Sequence, residues 1–213
     1  MPARNNDLHG NVPDQCPVAL ILIDVINDME FDAGEALLKS ALPAARNLAR
    51  LRKRAKDAGV PVIYVNDNFG KWRSDFRQQL GHVLEDSVRG EPLAKLLRPD
   101  EQDYFVLKAK HSGFYHTQLD LLIDYLEVRT VVLAGFATDM CVLFTASDAY
   151  LRDLDIIVPP DCSAAETTEH HQGALDHMSR VLHVKTTPST EIDFTELIES
   201  SLASESRAAT SGG

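Results

Sequence analysis

Thr130-Val131-Val132-Leu133-Ala134-Gly135 runs straight into Phe136-Ala137-Thr138-Asp139-Met140-Cys141. Its apolar residues are continuous rather than alternating, which suits a strand covered on both faces, as in the middle of a parallel sheet. Outward from it the chain alternates. Upstream, Tyr104 to Lys108 reads as a strand and Thr117 to Glu127 as the helix after it. Val60 to Asn66 is an earlier strand, and a helix from Glu35 to Ala58 closes at Gly59 after a basic last turn. Val18 to Ile23 is the first strand, ending at Asp24. Residues 67 to 99 read as a loop around Asn68, Phe69 and Gly70, then as helical in places. Downstream, a helix from Cys141 to Leu151, a strand from Asp155 to Pro159, a helix from Thr168 to Val181 and a short strand from His183 to Thr186 complete the series. Strands separated by helices of this length predict βαβ units. The expected fold is α/β: one Rossmann-like three-layer domain over residues 16–200, with a parallel sheet of about six strands flanked by helices. Residues 1–15 read as a flexible segment and residues 201–213, small and polar, as a disordered tail.

A chain of 213 residues, 44% hydrophobic and 25% charged, can bury a full core without disulfides or metals. Lys and Arg total 21 against 32 Asp and Glu, a formal net charge of −11. Such a surface repels phosphate backbones and anionic lipid, which speaks against nucleic acid and membrane partners. The polar start lacks the apolar run of a signal peptide, and no stretch reaches the ~20 apolar residues of a membrane span. Cys16, Cys141 and Cys162 are few, odd in number and without CxxC spacing, so a reducing cytoplasm is the expected compartment.

Ligands of open parallel sheets bind beyond the carboxyl ends of the strands. The residues at those ends are Asp24, then Asn66 to Asn68, then Lys108, then the loop from Gly135 to Cys141. An acid, a base and a cysteine thus leave neighbouring strands. Cys141 opens a helix, where the dipole and unpaired N–H groups favour thiolate over thiol and offer a cradle for an oxyanion. Cys162 lacks that setting and reads as structural, and Cys16 as a plain free thiol. Val18 to Ile23 leads into Asp24-Val25-Ile26-Asn27-Asp28 without a GxGxxG, which sets aside a dinucleotide site.

The segments ILIDVINDMEF, VLKAKHSGFYHTQLD and VVLAGFATDMCV, in that order, resemble the isochorismatase-like cysteine hydrolases, which include nicotinamidases, N-carbamoylsarcosine amidases, ureidoacrylate amidohydrolases and isochorismatases. The resemblance implies a small-molecule substrate and a homo-oligomer, dimer or tetramer. It implies a catalytic set of Asp24, Lys108 and Cys141, an oxyanion hole from the backbone amides of Ala137 and Cys141, and a cis peptide between Phe136 and Ala137. It implies that Cys141 attacks a carbonyl, that Asp24 moves the proton, and that a C–N bond breaks through a thioester, releasing ammonia or an amine. Nicotinamidases carry an Asp-x-His metal site after the second strand. Here that stretch is Asn66-Asp67-Asn68-Phe69-Gly70-Lys71-Trp72, with no histidine before His82, so no metal and no cofactor is expected.

The loop from Asn66 to Asp75 is rich in contact residues. Trp72, Phe69 and Phe114 suit the walls of a small pocket, Lys71 or Arg73 a substrate carboxylate, and Asn27 and Asn66 an amide group. Equally, Trp72 suits the core or a subunit interface, with Lys71 and Arg73 solvated. His111 and Tyr115 flank the same mouth, whereas His170, His171 and His177 read as surface histidines. Two other functions stay open: an isochorismatase-type vinyl ether hydrolase led by Asp24, and a non-catalytic ligand-binding module.

Overall fold

A computed structural model describes residues 15–70, 72 and 75–211, with residues 204–211 as backbone alone. All but the last residue of the segment 1–15 lies outside these, as do Lys71 and Arg73. The described chain runs β1 (Val18–Ile23), α1 (Gly34–Asp57), β2 (Val62–Asp67), α2 (Phe76–Glu85), α3 (Glu91–Leu96), β3 (Tyr104–Lys108), α4 (Leu119–Tyr125) and β4 (Thr130–Phe136). A π-helical turn (Thr138–Val142) leads into α5 (Leu143–Tyr150), followed by β5 (Asp155–Ile157), β6 (Ser163–Ala164), α6 (Thr168–Leu182) and α7 (Phe194–Ser211). The sheet has six strands, all paired in parallel, in the order β3-β2-β1-β4-β5, with β6 added to the end of β4.

The unbroken apolar runs are explained by their two faces. Along β1, Val18, Leu20 and Leu22 enter a core shared with α1, α2 and α3. Ala19, Ile21 and Ile23 enter a second core with α4, α5 and α6. Burying a Val, Leu or Ile side chain stabilises by roughly 1.5–3 kcal/mol, while fixing a residue's backbone costs about 1–2 kcal/mol. A strand buried on both faces is therefore the segment where burial wins most clearly.

Two elements differ from the sequence reading. The sixth strand is Ser163–Ala164, not His183–Thr186; the latter contributes only a single bridge from Lys185 to Ile157. Two residues beside β4 carry too little pattern to be seen in sequence. At the other end, α7 runs on to Ser211 through the stretch read as a tail. Its Ala, Ser and Glu content is polar, yet none of these residues bars a helix.

The sheet order reverses between β1 and β4, so their exit loops diverge and leave a crevice at the carboxyl ends. Gly135 makes the close approach there possible. It sits opposite Ile23 at φ +127, and a Cβ would lie 2.0 Å from the Ile23 carbonyl oxygen.

Candidate active site

Asp24 leaves β1 in a left-handed conformation (φ 51), which aspartate tolerates better than most residues, and its amide donates to the Val65 carbonyl at 2.9 Å. The turn aims its carboxylate across β2. Oδ1 accepts the Asp67 amide at 2.6 Å, and Oδ2 lies 2.8 Å from Lys108 Nζ. Lys108 ends the edge strand β3, in register with Asp67, and its carbonyl accepts the Asn68 amide at 2.8 Å. The ammonium also donates to the Lys110 carbonyl at 3.1 Å and to Cys141 Sγ at 3.4 Å, with Asp67 Oδ2 at 3.5 Å.

Cys141 sits in the π turn rather than in a regular α-helical turn. The Ala137 carbonyl accepts the amides of Met140 and Val142, each at 3.2 Å, on either side of the Cys141 amide. Thr145 Oγ1 donates to the Cys141 carbonyl at 2.7 Å and accepts the Gly113 amide at 2.9 Å, tying the turn to the loop after β3. The peptide between Phe136 and Ala137 is cis. Asp24, Lys108 and Cys141 are therefore brought together, with exposures of 4%, 1% and 9%.

The electrostatics correct one expectation. Placement at a helix start favours thiolate, yet burial and the neighbouring Asp24 charge push the Cys141 thiol up to about 12, and Lys108 only partly offsets them. Burial likewise holds the Asp24 carboxyl above the usual carboxylate range despite Lys108 and the Asp67 amide, and the Asp24 charge raises Lys108 against its own burial. The resting arrangement is a carboxylate and an ammonium beside a neutral thiol. Such a set can accept a thiol proton and keep a nearby cation for the sulfur left behind.

All three cysteines are buried free thiols. Cys162, pushed up to about 12 by burial, faces Asp161 and Ser189, and Cys16 lies in the core at the foot of β1. Neither has a lysine at its sulfur in the way Cys141 has.

A cleft of about 550 Å³ opens over Lys108, lined among others by Asn68, Trp72, Lys110, Tyr115 and His116. Trp72, expected as a wall, is one, and is 79% exposed. Phe69 is exposed on the preceding turn and is not part of this lining. Three expected contacts are placed elsewhere. Phe114 is a core residue, 2% exposed, with the Arg152 guanidinium over its ring at 4.6 Å. Asn27 turns back to accept the Met29 amide at 2.8 Å, and buried Asn66 donates to the Ile26 carbonyl at 2.6 Å. Both asparagines shape the loop after β1, Asn27 by bonding its own backbone two residues on and Asn66 by reaching across from the end of β2.

His111 Nδ1 lies 3.7 Å from Cys141 Sγ. His171 is half-buried, not a plain surface histidine: its Nδ1 lies 2.8 Å from Thr138 Oγ1. His171 thus steadies the turn that carries Cys141. Helical spacing from Thr168 gave no sign of this, because it depends on how α6 packs against the turn. Among the described residues, no three His, Cys, Asp or Glu side chains gather in a way that would hold a metal ion. No described helix is long and apolar enough to cross a membrane.

A doubly wound α/β domain with a buried aspartate, lysine and cysteine meeting where its strand order reverses is the class that fold and site define. Residues 18–189 match the isochorismatase domain, and the chain belongs to the isochorismatase family. It is 37% identical over 174 residues to YaaI, an uncharacterized isochorismatase family protein of Bacillus subtilis, covering 82% of this chain and 95% of that one. It is 27% identical over 168 residues to the maleamate amidohydrolase of Pseudomonas putida, covering 74% and 76%. Among solved structures, the N-carbamoylsarcosine amidase of Thermoplasma acidophilum superposes with a TM-score of 0.65 at 29% identity, covering 83% of this chain and 98% of that one. The protein is thus an isochorismatase-family hydrolase with amidohydrolases among its relatives.

Proposed function

We propose that the protein is a cysteine amidohydrolase that cleaves a C–N bond, amide or ureido, of a small polar molecule. The observation that carries this reading is the Lys108 ammonium, which bonds the Asp24 carboxylate and the Cys141 sulfur at once. A binding module has no use for a buried cation shared by a base and a thiol, and relatives that are amidohydrolases favour a C–N bond over a vinyl ether.

In this reading Asp24 takes the Cys141 proton as Sγ attacks the substrate carbonyl. Its raised affinity for protons makes it a better base than an exposed aspartate. Lys108 stays charged and balances the forming thiolate. The carbonyl oxygen becomes an oxyanion held by the amides of Ala137 and Cys141. Asp24 then gives its proton to the leaving nitrogen, the C–N bond breaks, and ammonia or an amine departs from a thioester on Cys141. The same carboxylate draws a proton from water, which attacks the thioester and frees the acid and the thiol.

The test is ammonia release from a panel of small amides and ureido acids, with intact-mass analysis of quenched reactions. An acyl adduct on Cys141 in the native protein, absent in Cys141→Ala, is the expected result. Ammonia release that survives Cys141→Ala contradicts the reading.

A further inference from the structure

Two side-chain nitrogens reach the Cys141 sulfur, one from a buried residue and one from an exposed residue. Lys108 Nζ, at 3.4 Å, is buried and also faces Asp24. His111 Nδ1, at 3.7 Å, belongs to the exposed residue. Burial therefore does not fix the imidazole; its loop does. The Lys110 carbonyl accepts from the Lys108 ammonium at 3.1 Å, Ser112 Oγ donates to Asp148, and the Gly113 amide donates to Thr145 Oγ1 at 2.9 Å. The chain is thus tied down on both sides of His111, and the Phe144 ring of α5 backs the imidazole with centroids 5.3 Å apart. Nε2, at the far edge of the ring, has no hydrogen-bond partner among the described residues.

We propose that His111 is a further catalytic residue, which holds the water that hydrolyses the thioester on Cys141. This inference rests on the amidohydrolase reading and assigns one step within it. The two halves of the cycle make unequal demands. In the first, the nitrogen that leaves arrives as part of a bound substrate and needs no separate aiming. In the second, a single water must be aimed at the same carbon with nothing to tether it. Asp24 can take its proton, but Oδ1 already accepts the Asp67 amide and Oδ2 faces Lys108, so the carboxylate is poorly placed to hold the water alone. His111 becomes available at that moment. Once Sγ is acylated it carries no hydrogen, and Nδ1 loses its partner beside the new carbonyl carbon. A water that donates one hydrogen to the Nδ1 lone pair turns an oxygen lone pair toward that carbon. The oxygen bonds to the carbon, and the other hydrogen passes to Asp24 as a proton. The C–S bond breaks with its electron pair on sulfur, the Asp24 proton returns to Sγ, and the acid leaves. His111 gains and loses no proton in this sequence.

The experiment isolates the second half of the cycle. p-Nitrophenyl acetate loads an acetyl thioester on Cys141 with a leaving group that needs no proton from Asp24. With the protein in excess, each ester molecule turns over once. Release of p-nitrophenolate times acylation, and loss of acetyl-Cys141 from quenched samples, read by peptide mass spectrometry, times hydrolysis. In His111→Ala the loss of acetyl should slow by about 10- to 100-fold with acylation unchanged. His111→Asn, whose amide oxygen falls where Nδ1 stands, should keep most of the native rate. Hydrolysis as fast in His111→Ala as in the native protein overturns the proposal, and so does acylation slowed by the same factor as hydrolysis. No acetyl group on Cys141 of the native protein overturns it as well, whatever the ammonia screen shows. The amidohydrolase reading fails separately. If hydrolysis of the thioester depends on His111 but no amide or ureido compound releases ammonia, the role of His111 stands and the C–N chemistry does not.

Discussion

The floor of the cleft and its rim are built by different means. On the floor Lys108 lies buried beside Asp24 and Cys141; Asp24 and Lys108 are pinned by backbone bonds at the ends of β1 and β3, and Cys141 by the turn that follows β4. On the rim, Trp72 stands 79% exposed on the connection between β2 and α2, and Tyr115 and His116 meet it from the loop after β3. The floor is held by the same contacts that hold the sheet, whereas the rim can change without disturbing either. The contrast teaches where each kind of information lies: reaction type in the strand ends, substrate choice in the loops.

Substitutions on the two levels should part company. Cys141→Ala removes the nucleophile and lowers kcat by about 10⁴-fold or more. With no charge lost from the core, the melting temperature should stay near that of the native protein. Equal activity in the variant breaks the distinction at its strongest point. Lys108→Met strips the cation from a buried carboxylate and leaves Asp24 unpaired. Denaturant unfolding should show a loss of roughly 3–5 kcal/mol, well beyond the effect of removing an exposed charge. A stable Lys108→Met protein means that the floor is less tightly determined than its contacts imply.

Trp72→Ala should raise KM severalfold for a substrate found by the ammonia screen, with kcat and stability little changed. An equal fall in kcat makes the rim part of the catalytic geometry and blurs the two levels. The smallest effect concerns His171. Burial lowers its proton affinity below the ordinary histidine value of 6.5, so between the two values the unfolded chain binds more protons than the folded one. Its contribution to stability is complete above pH about 6.5 and is lost as pH falls through that window. His171→Gln should flatten this part of the plot of melting temperature against pH.

Much of the floor was legible in the sequence and little of the rim. Asp24 and Cys141 follow apolar runs long and continuous enough to be buried strands, and Lys108 ends a shorter one at the sheet edge, so parallel pairing brings all three to the carboxyl ends of the sheet. Phe114 sits in the same motif as Lys108 but faces the second core, and Asn27 Oδ1 and Asn66 Nδ2 bond the loop after β1. Which side of a loop faces the ligand is settled by packing at a distance, which spacing does not encode. The thiol shows the same limit. A helix start is a local argument for thiolate, and it loses here to burial and to a carboxylate contributed from more than a hundred residues upstream. The π turn around Cys141 also left no trace in the pattern, because it depends on the single carbonyl of Ala137.

The central claim is that Cys141 rests as a neutral thiol and that Asp24 both raises it and receives its proton. The most direct test is the rate of Cys141 alkylation by iodoacetamide from pH 6 to 11, read by peptide mass spectrometry in the native protein and in Asp24→Asn. The account predicts a native rate that climbs well beyond the pH 8.5 of an ordinary thiol, toward a midpoint near 12. In Asp24→Asn the midpoint should move down by a unit or more, because Lys108 then faces the sulfur without a competing carboxylate, while turnover falls by about 10²–10⁴-fold. Fast alkylation of native Cys141 below pH 7.5, or a midpoint unmoved by Asp24→Asn, would contradict it.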